Sequence, residues 1–136
     1  MIVDTSALVA VLLGEEGRGA ILDALEAEEA LLPAPALAEF LRVTSGSRID
    51  AAGQAATLLE EWKQGGLRVL PFTEDHAMQL ERAIPLFGKG NGRGGTLNLL
   101  DLMVYAVAME NGEALLCTGA DFATTDVELH PASRVG

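Results

Sequence analysis

The sequence predicts an α/β fold with a mainly parallel central sheet flanked by helices. Three observations carry that reading. Short apolar runs at Ile2-Val3, Ala30–Leu32, Leu67–Leu70 and Ala114–Cys117 alternate with longer stretches of helical periodicity. Hydrophobic residues make up 49% of the 136 positions and are spread evenly, as in a globular chain with a core of useful size. No internal repeat, low-complexity tract or linker divides the sequence, so a single domain over residues 1–136 is expected.

The elements follow in order. Ile2-Val3 starts a buried strand, and Asp4, Thr5 or Ser6 can cap a helix over Ser6–Leu13. Gly14-Glu15-Glu16-Gly17 breaks that helix. Ala20–Glu29 reads as a second helix with an acidic outer face, and Ala30–Leu32 as a strand ended by Pro33 and Pro35. Pro35 suits the first turn of the next helix, Ala36–Ser45. There Leu37, Phe40, Leu41 and Thr44 share one face, and Glu39, Arg42 and Val43 another. Asp50–Gln64 is a helix with Leu58, Leu59 and Trp62 on its apolar side. Leu67–Leu70 is a strand between Gly65-Gly66 and Pro71, and Thr73 can cap a helix to about Leu86. Gly88–Gly95 is a glycine-rich loop carrying Lys89 and Arg93. The helix from Asn98 is apolar nearly all round, which predicts burial on most sides, and Asn111-Gly112 ends it. Ala114–Cys117 and a stretch near Val127–His130 complete the strands.

Composition narrows the function. Twenty acidic and nine basic residues give a net charge of −11, which excludes a broad electrostatic surface for nucleic acid. A phosphate substrate has to be reached through metal ions or a local basic patch. No apolar run approaches the ~20 residues of a membrane span. No basic segment precedes the apolar Ala7–Leu13, so no signal peptide is expected and the default address is cytoplasmic. The lone Cys117 lies in a strand and reads as a buried structural thiol.

Within this frame four carboxylates stand out. Ligands of a parallel α/β sheet collect outside the carboxyl ends of the strands. Asp4 ends the first strand, and Asp121 follows the fourth. Glu39, in the second turn of its helix, and Asp101, in the first turns of its own, lie on helices that begin at that same edge. Clustered carboxylates repel unless cations neutralise them, and hard oxygen donors suit Mg²⁺ or Mn²⁺. Each residue alone has an ordinary reading: Asp4 as a helix cap, Glu39 and Arg42 as a surface ion pair, Asp101 as a salt-bridged core residue, Asp121 as a turn former. Asn98, Asp101 and Tyr105 recur at helical spacing on one narrow polar stripe.

Met1–Leu8, Ala38-Glu39-Phe40, Gly88-Lys89-Gly90, Asn98–Asp101 and Thr118–Asp126 together resemble a PIN-domain ribonuclease in order and spacing, over essentially the whole chain. The likeness is strongest to VapC-type toxins of bacterial toxin–antitoxin pairs. It implies a Mg²⁺- or Mn²⁺-dependent endoribonuclease whose metal site is Asp4, Glu39, Asp101 and Asp121. It further implies that Thr5 or Ser6 bonds a carboxylate or bound water, with Asn98 in support and Asp126 as a variable assistant. The implied partners are RNA, a second copy of the chain, and a small VapB-type antitoxin. Thr118 departs from the family, where lysine is common.

The glycine-rich loop formally matches GxGxxG but follows a helix, which fails the context that a dinucleotide site needs. Two readings of it stand: a flexible connector, or a mobile basic flap in which Lys89 and Arg93 contact RNA phosphates; Arg42 is a separate candidate RNA contact. Two rival functions also stand, a housekeeping RNA-processing nuclease and a catalytically silent PIN-like module that docks a basic partner.

Overall fold

The computed structural model describes residues 1–135. Ten elements run along the chain: β1 (Ile2–Val3), α1 (Thr5–Leu12), α2 (Arg18–Ala27), β2 (Leu31–Pro33), α3 (Ala34–Thr44), α4 (Ala52–Gln64), β3 (Arg68–Leu70), α5 (Glu74–Phe87), α6 (Leu99–Asn111) and β4 (Leu115–Leu116). The strands form one parallel sheet in the order β3-β2-β1-β4. Ile2 pairs with Leu31 on one side and Leu115 on the other. The chain winds outward from β1 through β2 to β3, then returns to place β4 on the other flank of β1. Strand order therefore reverses between β1 and β4, and the carboxyl ends of those two strands border the crevice where such sheets hold ligands.

Local chemistry explains the element boundaries. Asp4 caps α1, with its side chain accepting the Ser6 N–H. Pro35 occupies the first turn of α3, where its missing N–H is harmless. Asn98 and Asp101 form a reciprocal capping box at the start of α6, and Gly112 closes that helix in the left-handed conformation (φ 62°). The core is built from β-strand residues and the inner faces of α1, α3 and α6, with Ile2, Val3, Leu8, Phe40, Tyr105 and Leu116 fully enclosed. Cys117 is free and buried, and burial pushes its thiol up to about 12, as a structural thiol requires.

Three expectations need revision. The last strand near Val127–His130 is reduced to a parallel bridge between Leu115 and Leu129, because Pro131 follows immediately and cannot donate to a longer ladder. His76 reads from sequence as a surface residue but is buried: its Nδ1 accepts the Thr73 N–H at 2.9 Å and completes the α5 capping box. The apolar α6 is enclosed from Val104 to Ala108, yet Leu99 at its start is 63% exposed.

A polar clamp joins α5, α6 and the loop after β4. The Tyr105 hydroxyl donates to Asp126 Oδ1 at 2.5 Å. Arg82 Nη2 donates to the Tyr105 oxygen at 2.5 Å and pairs with Asp126 Oδ2 at 3.3 Å. Burial, and then the neighbouring Asp126 carboxylate, raise Tyr105 to about 12, so it stays protonated and donating. Tyr105→Phe should lower unfolding free energy by about 1 kcal/mol, the usual net worth of such a bond. Urea denaturation measures this, and an unchanged midpoint would show that the clamp contributes nothing to the fold.

Candidate active site

Asp4 is placed by the centre of the sheet. Its N–H donates to the Leu116 carbonyl at 2.9 Å, which anchors it between β1 and β4. Its side chain is almost fully buried. Oδ2 accepts from the Ser6 N–H at 3.0 Å and from the Ser6 hydroxyl at 2.6 Å. The Thr118 N–H in turn donates to Ser6 Oγ at 3.0 Å, so the loop after β4 is keyed to the same carboxylate. Oδ1 of Asp4 is buried and has no hydrogen-bond partner. An unpaired buried carboxylate oxygen costs free energy unless a cation or proton meets it.

Asp101 repeats that division of labour. Its Oδ2 accepts the Asn98 N–H at 3.0 Å, while Asn98 Oδ1 accepts the Asp101 N–H at 2.9 Å. Glu39, on the second turn of α3, is half-buried, and Asp121, after β4, is exposed at the rim. Asp4, Glu39, Asp101 and Asp121 line one cavity of about 290 Å³, together with Ser6, Val9, Val43, Thr118 and Phe122. The convergence expected at one sheet edge is present.

The electrostatics show that these groups feel one another. Asp101 is raised from 3.8 to about 6, chiefly by burial, against the Asn98 bond, with added repulsion from Asp4, Asp121 and Glu39. Asp4 is also raised, first by burial and then by Glu39, against the opposing bonds from Ser6. Among the described residues no ion pair involves any of the four, so the salt-bridge reading of Asp101 does not hold. The expected Glu39–Arg42 surface pair is likewise absent among the described residues.

The supporting residues divide. Ser6 bonds the Asp4 carboxylate, whereas Thr5 turns its hydroxyl to the Ala36 carbonyl at 2.8 Å and ties α1 to α3. Asn98 holds Asp101 through the capping box. Asp126 sits outside the cavity lining, in the clamp with Tyr105 and Arg82. Its carboxyl is held below the usual range by the Tyr105 and Arg82 contacts, against the opposing effect of burial. Lys89 and Arg93 are exposed on a loop that is tied rather than loose. Asn91 there donates to the Pro85 carbonyl and accepts from the N–H groups of Arg93 and Gly95. Sequence reasoning missed Thr96, whose hydroxyl donates to the Asp121 carbonyl at 2.6 Å and fixes the rim. It also missed Arg82 in the clamp. The i,i+4 spacing of Asp101 and Tyr105 was the only signal for that network.

The cavity suits a hard divalent cation in its donor chemistry. It offers carboxylate oxygens, an orphaned Asp4 Oδ1 aimed at no protein donor, and no opposing positive charge. Among the described residues no three His, Cys, Asp or Glu side chains are drawn together tightly enough to hold an ion unaided. Mg²⁺ commonly keeps several waters while touching one or two carboxylates.

A family model described as the PIN domain matches residues 1–128. The chain belongs to the PIN-domain family. Ribonuclease VapC36 of Mycobacterium tuberculosis is 38% identical over 131 residues, covering 94% of this chain and 91% of the relative. Ribonuclease VapC42 of the same species is 35% identical over 129 residues, covering 93% and 96%. These place the chain in the VapC branch of the PIN domains. Among solved structures, VapC20 of M. tuberculosis, described as a sarcin-ricin loop cleaving toxin, has a TM-score of 0.71 at 17% identity, covering 93% of this chain and 95% of that one. VapBC2 from Rickettsia felis, solved bound to a DNA fragment from its promoter, has a TM-score of 0.68 at 13% identity, covering 99% and 96%. At those identities the structural likeness establishes the PIN fold alone. The α/β class with a parallel sheet, expected from sequence, is the PIN fold.

The raised Asp101 has a sign that can be tested. Between its unfolded value of 3.8 and its folded value of about 6, the folded PIN domain keeps a proton that the unfolded chain has lost. The contribution of Asp101 to stability is therefore fully present below 3.8 and is lost as pH rises to about 6. Asp101→Asn keeps the capping-box acceptor and removes the repelled charge. In EDTA at pH 7 it should raise the melting temperature, and the gain should vanish near pH 4. A lower melting temperature at pH 7 would mean that Asp101 is a stabilising ion-pair partner instead.

Proposed function

We propose that this PIN domain is a metal-dependent endoribonuclease and the toxin of a type II toxin–antitoxin pair, using Mg²⁺ or Mn²⁺. The observation that carries the reading is a cavity of four carboxylates with no protein cation, one of whose buried oxygens is orphaned. The ribonuclease names of relatives at 35–38% identity over most of the chain support the activity. Asp4, Glu39, Asp101 and Asp121 would hold the cation, directly or through water. The chemistry a bound divalent cation supplies is polarisation of the phosphate, a lower pKa for a water molecule, and neutralisation of charge on the attacking and leaving oxygens.

The chain's own residues do the positioning. Ser6, itself held by the Thr118 N–H, fixes Asp4 through Oδ2 and leaves Oδ1 without a protein donor. The Asn98 box fixes Asp101, and Thr96 fixes the backbone of Asp121. A carboxylate of this ring orients the attacking water. The water would give up a proton to a carboxylate of the ring or to solvent as its oxygen bonds to phosphorus; the bond from phosphorus to the 3′ oxygen breaks and that oxygen takes up a proton from solvent, leaving a 5′-phosphate and a 3′-hydroxyl. No histidine or ribose hydroxyl takes part. Lys89 and Arg93, exposed on the loop leading into α6, would contact flanking phosphates.

An antitoxin of VapB type would close the same cavity by inserting an arginine or lysine among the unpaired carboxylates. A homodimer fits the apolar side chains left exposed on α5 and at the start of α6, Met78, Ile84, Leu86 and Leu99. The working compartment is the cytoplasm, where the RNA is.

Two measurements test the reading. Asp4→Asn, Glu39→Gln, Asp101→Asn and Asp121→Asn should each slow Mg²⁺-dependent cleavage at least about 100-fold, more than loss of a residue supporting a ligand, with native-like circular dichroism. Ser6→Ala should cost about 10- to 100-fold. Mg²⁺ at a hundredfold excess over its dissociation constant should stabilise the wild type by about 2.7 kcal/mol. Full activity in any two of the carboxylate variants would refute the shared site. A stable, metal-insensitive protein that cleaves no RNA would point to the silent binding module.

A further inference from the structure

In a protein of net charge −11, cations without a counter-charge are informative. Arg68 and Arg82 are in ion pairs, and Arg18 and Arg134 donate to backbone carbonyls. Arg42, Arg48, Lys63, Lys89 and Arg93 do neither among the described residues, and all five are exposed; of these, Arg42 and Arg48 come together at one groove. They line it, over about 600 Å³, with Leu13, Val43 and Ile49. Val43 also lines the carboxylate cavity, so the groove opens directly beside it. Arg42 lies one helical turn beyond Glu39 on α3 and points its charge at no carboxylate.

The groove is built rather than incidental. Arg48 sits on the loop between α3 and α4, and that loop is closed at its base. Ser45 and Asp50 form an antiparallel bridge, and the Ala51 N–H donates to the Thr44 carbonyl at 3.0 Å. The guanidinium is thus carried on a tied loop, which lowers the ordering cost of binding. The floor is apolar, with Leu13 48% exposed beside half-buried Val43 and Ile49. Guanidinium side chains and apolar side chains lining one groove match a nucleotide, whose phosphate needs the charge and whose base needs a face to lie on.

We propose that this groove binds the nucleotide next to the scissile phosphate on an unpaired RNA strand. Arg42 and Arg48 hold its phosphate, and Leu13, Val43 and Ile49 take the face of its base. The strand is single because a base still stacked in a duplex cannot reach that floor. The local pair of arginines also resolves how a polyanion approaches an acidic protein at its most acidic point. This inference rests on the ribonuclease reading and assigns Arg42 and Arg48 to a substrate subsite beside the carboxylate cavity.

The test compares wild type with Arg42→Ala, Arg48→Ala, the double variant and Arg48→Lys, each checked for native circular dichroism. The substrates are a single-stranded RNA oligonucleotide that the wild type cleaves, the same oligonucleotide trimmed from each end to the cleaved bond, and a hairpin that pairs the site. The double variant should raise KM at least about 10-fold, as loss of charged hydrogen bonds does, with kcat within about twofold. The dependence of log KM on log salt should flatten by about 0.7 for each phosphate that is no longer neutralised. One trimmed RNA should show the same KM loss with wild type and no further loss with the double variant. Arg48→Lys should retain most of the affinity, and the hairpin should be a poor substrate for wild type and variants alike. Unchanged KM and salt slope in the double variant, with wild type active, would overturn the proposal. So would normal RNA kinetics combined with abolished inhibition by a co-expressed antitoxin, since the groove would then belong to a protein partner. If the wild type cleaves no RNA under any metal condition, the ribonuclease reading itself fails.

Discussion

Asp4 is a carboxylate buried at the carboxyl end of the central strand, and the rest of the site is arranged around making that tolerable. One oxygen is satisfied by Ser6, and Ser6 is satisfied by the Thr118 backbone. The other oxygen is left with nothing. A fold that merely needed a helix cap at this position could use an exposed one at lower cost, because capping requires only one acceptor. The orphaned oxygen is therefore the feature on which the proposed cation site rests. The position between β1 and β4, where strand order reverses, gives that cation a crevice to enter.

The same local devices stabilise the fold and hold the carboxylates proposed as ligands. Asp4 caps α1, and Asp101 is the third residue of the α6 capping box. Both carboxylates thus sit at helix N-termini, where the partial positive charge of the helix offsets part of their repulsion. In each, one oxygen is held at the helix start, Oδ2 of Asp4 by Ser6 and Oδ2 of Asp101 by the Asn98 N–H. Precision at the site comes from secondary-structure ends rather than from a separate scaffold. The loop of Asp121 has no such helix end. It is fixed instead by Thr96 and flanked by the Arg82–Tyr105–Asp126 clamp.

Legibility in the sequence followed the range of the interaction. The strand ending at Asp4, the proline-started α3, the Thr73 cap and the Gly112 stop are all local, and each is where the residue pattern placed it within a few positions. The convergence of Asp4, Glu39, Asp101 and Asp121 was legible because a parallel sheet puts strand ends and following helix starts on one edge. The clamp was not legible, since Arg82 and Asp126 are far apart in sequence and neither carries a local signal. His76 looked like surface because its role depends on a ring nitrogen reaching back three residues to the Thr73 backbone. The expected Glu39–Arg42 pair failed for a different reason: helical spacing permits that contact, but Glu39 turns to the cavity and Arg42 to the neighbouring groove.

The central claim is that these carboxylates form one cation site and that Asp4 and Asp101 are shared members of it. The most direct measurement is Mn²⁺ binding to the metal-free protein, followed by electron paramagnetic resonance at pH 7 and pH 5. The account predicts saturable binding at pH 7 that weakens at pH 5, as Asp101 takes up its proton, and that is strongly reduced in both Asp4→Asn and Asp101→Asn. Mn²⁺ binding of equal strength in wild type and both variants, or no binding at all, would contradict it.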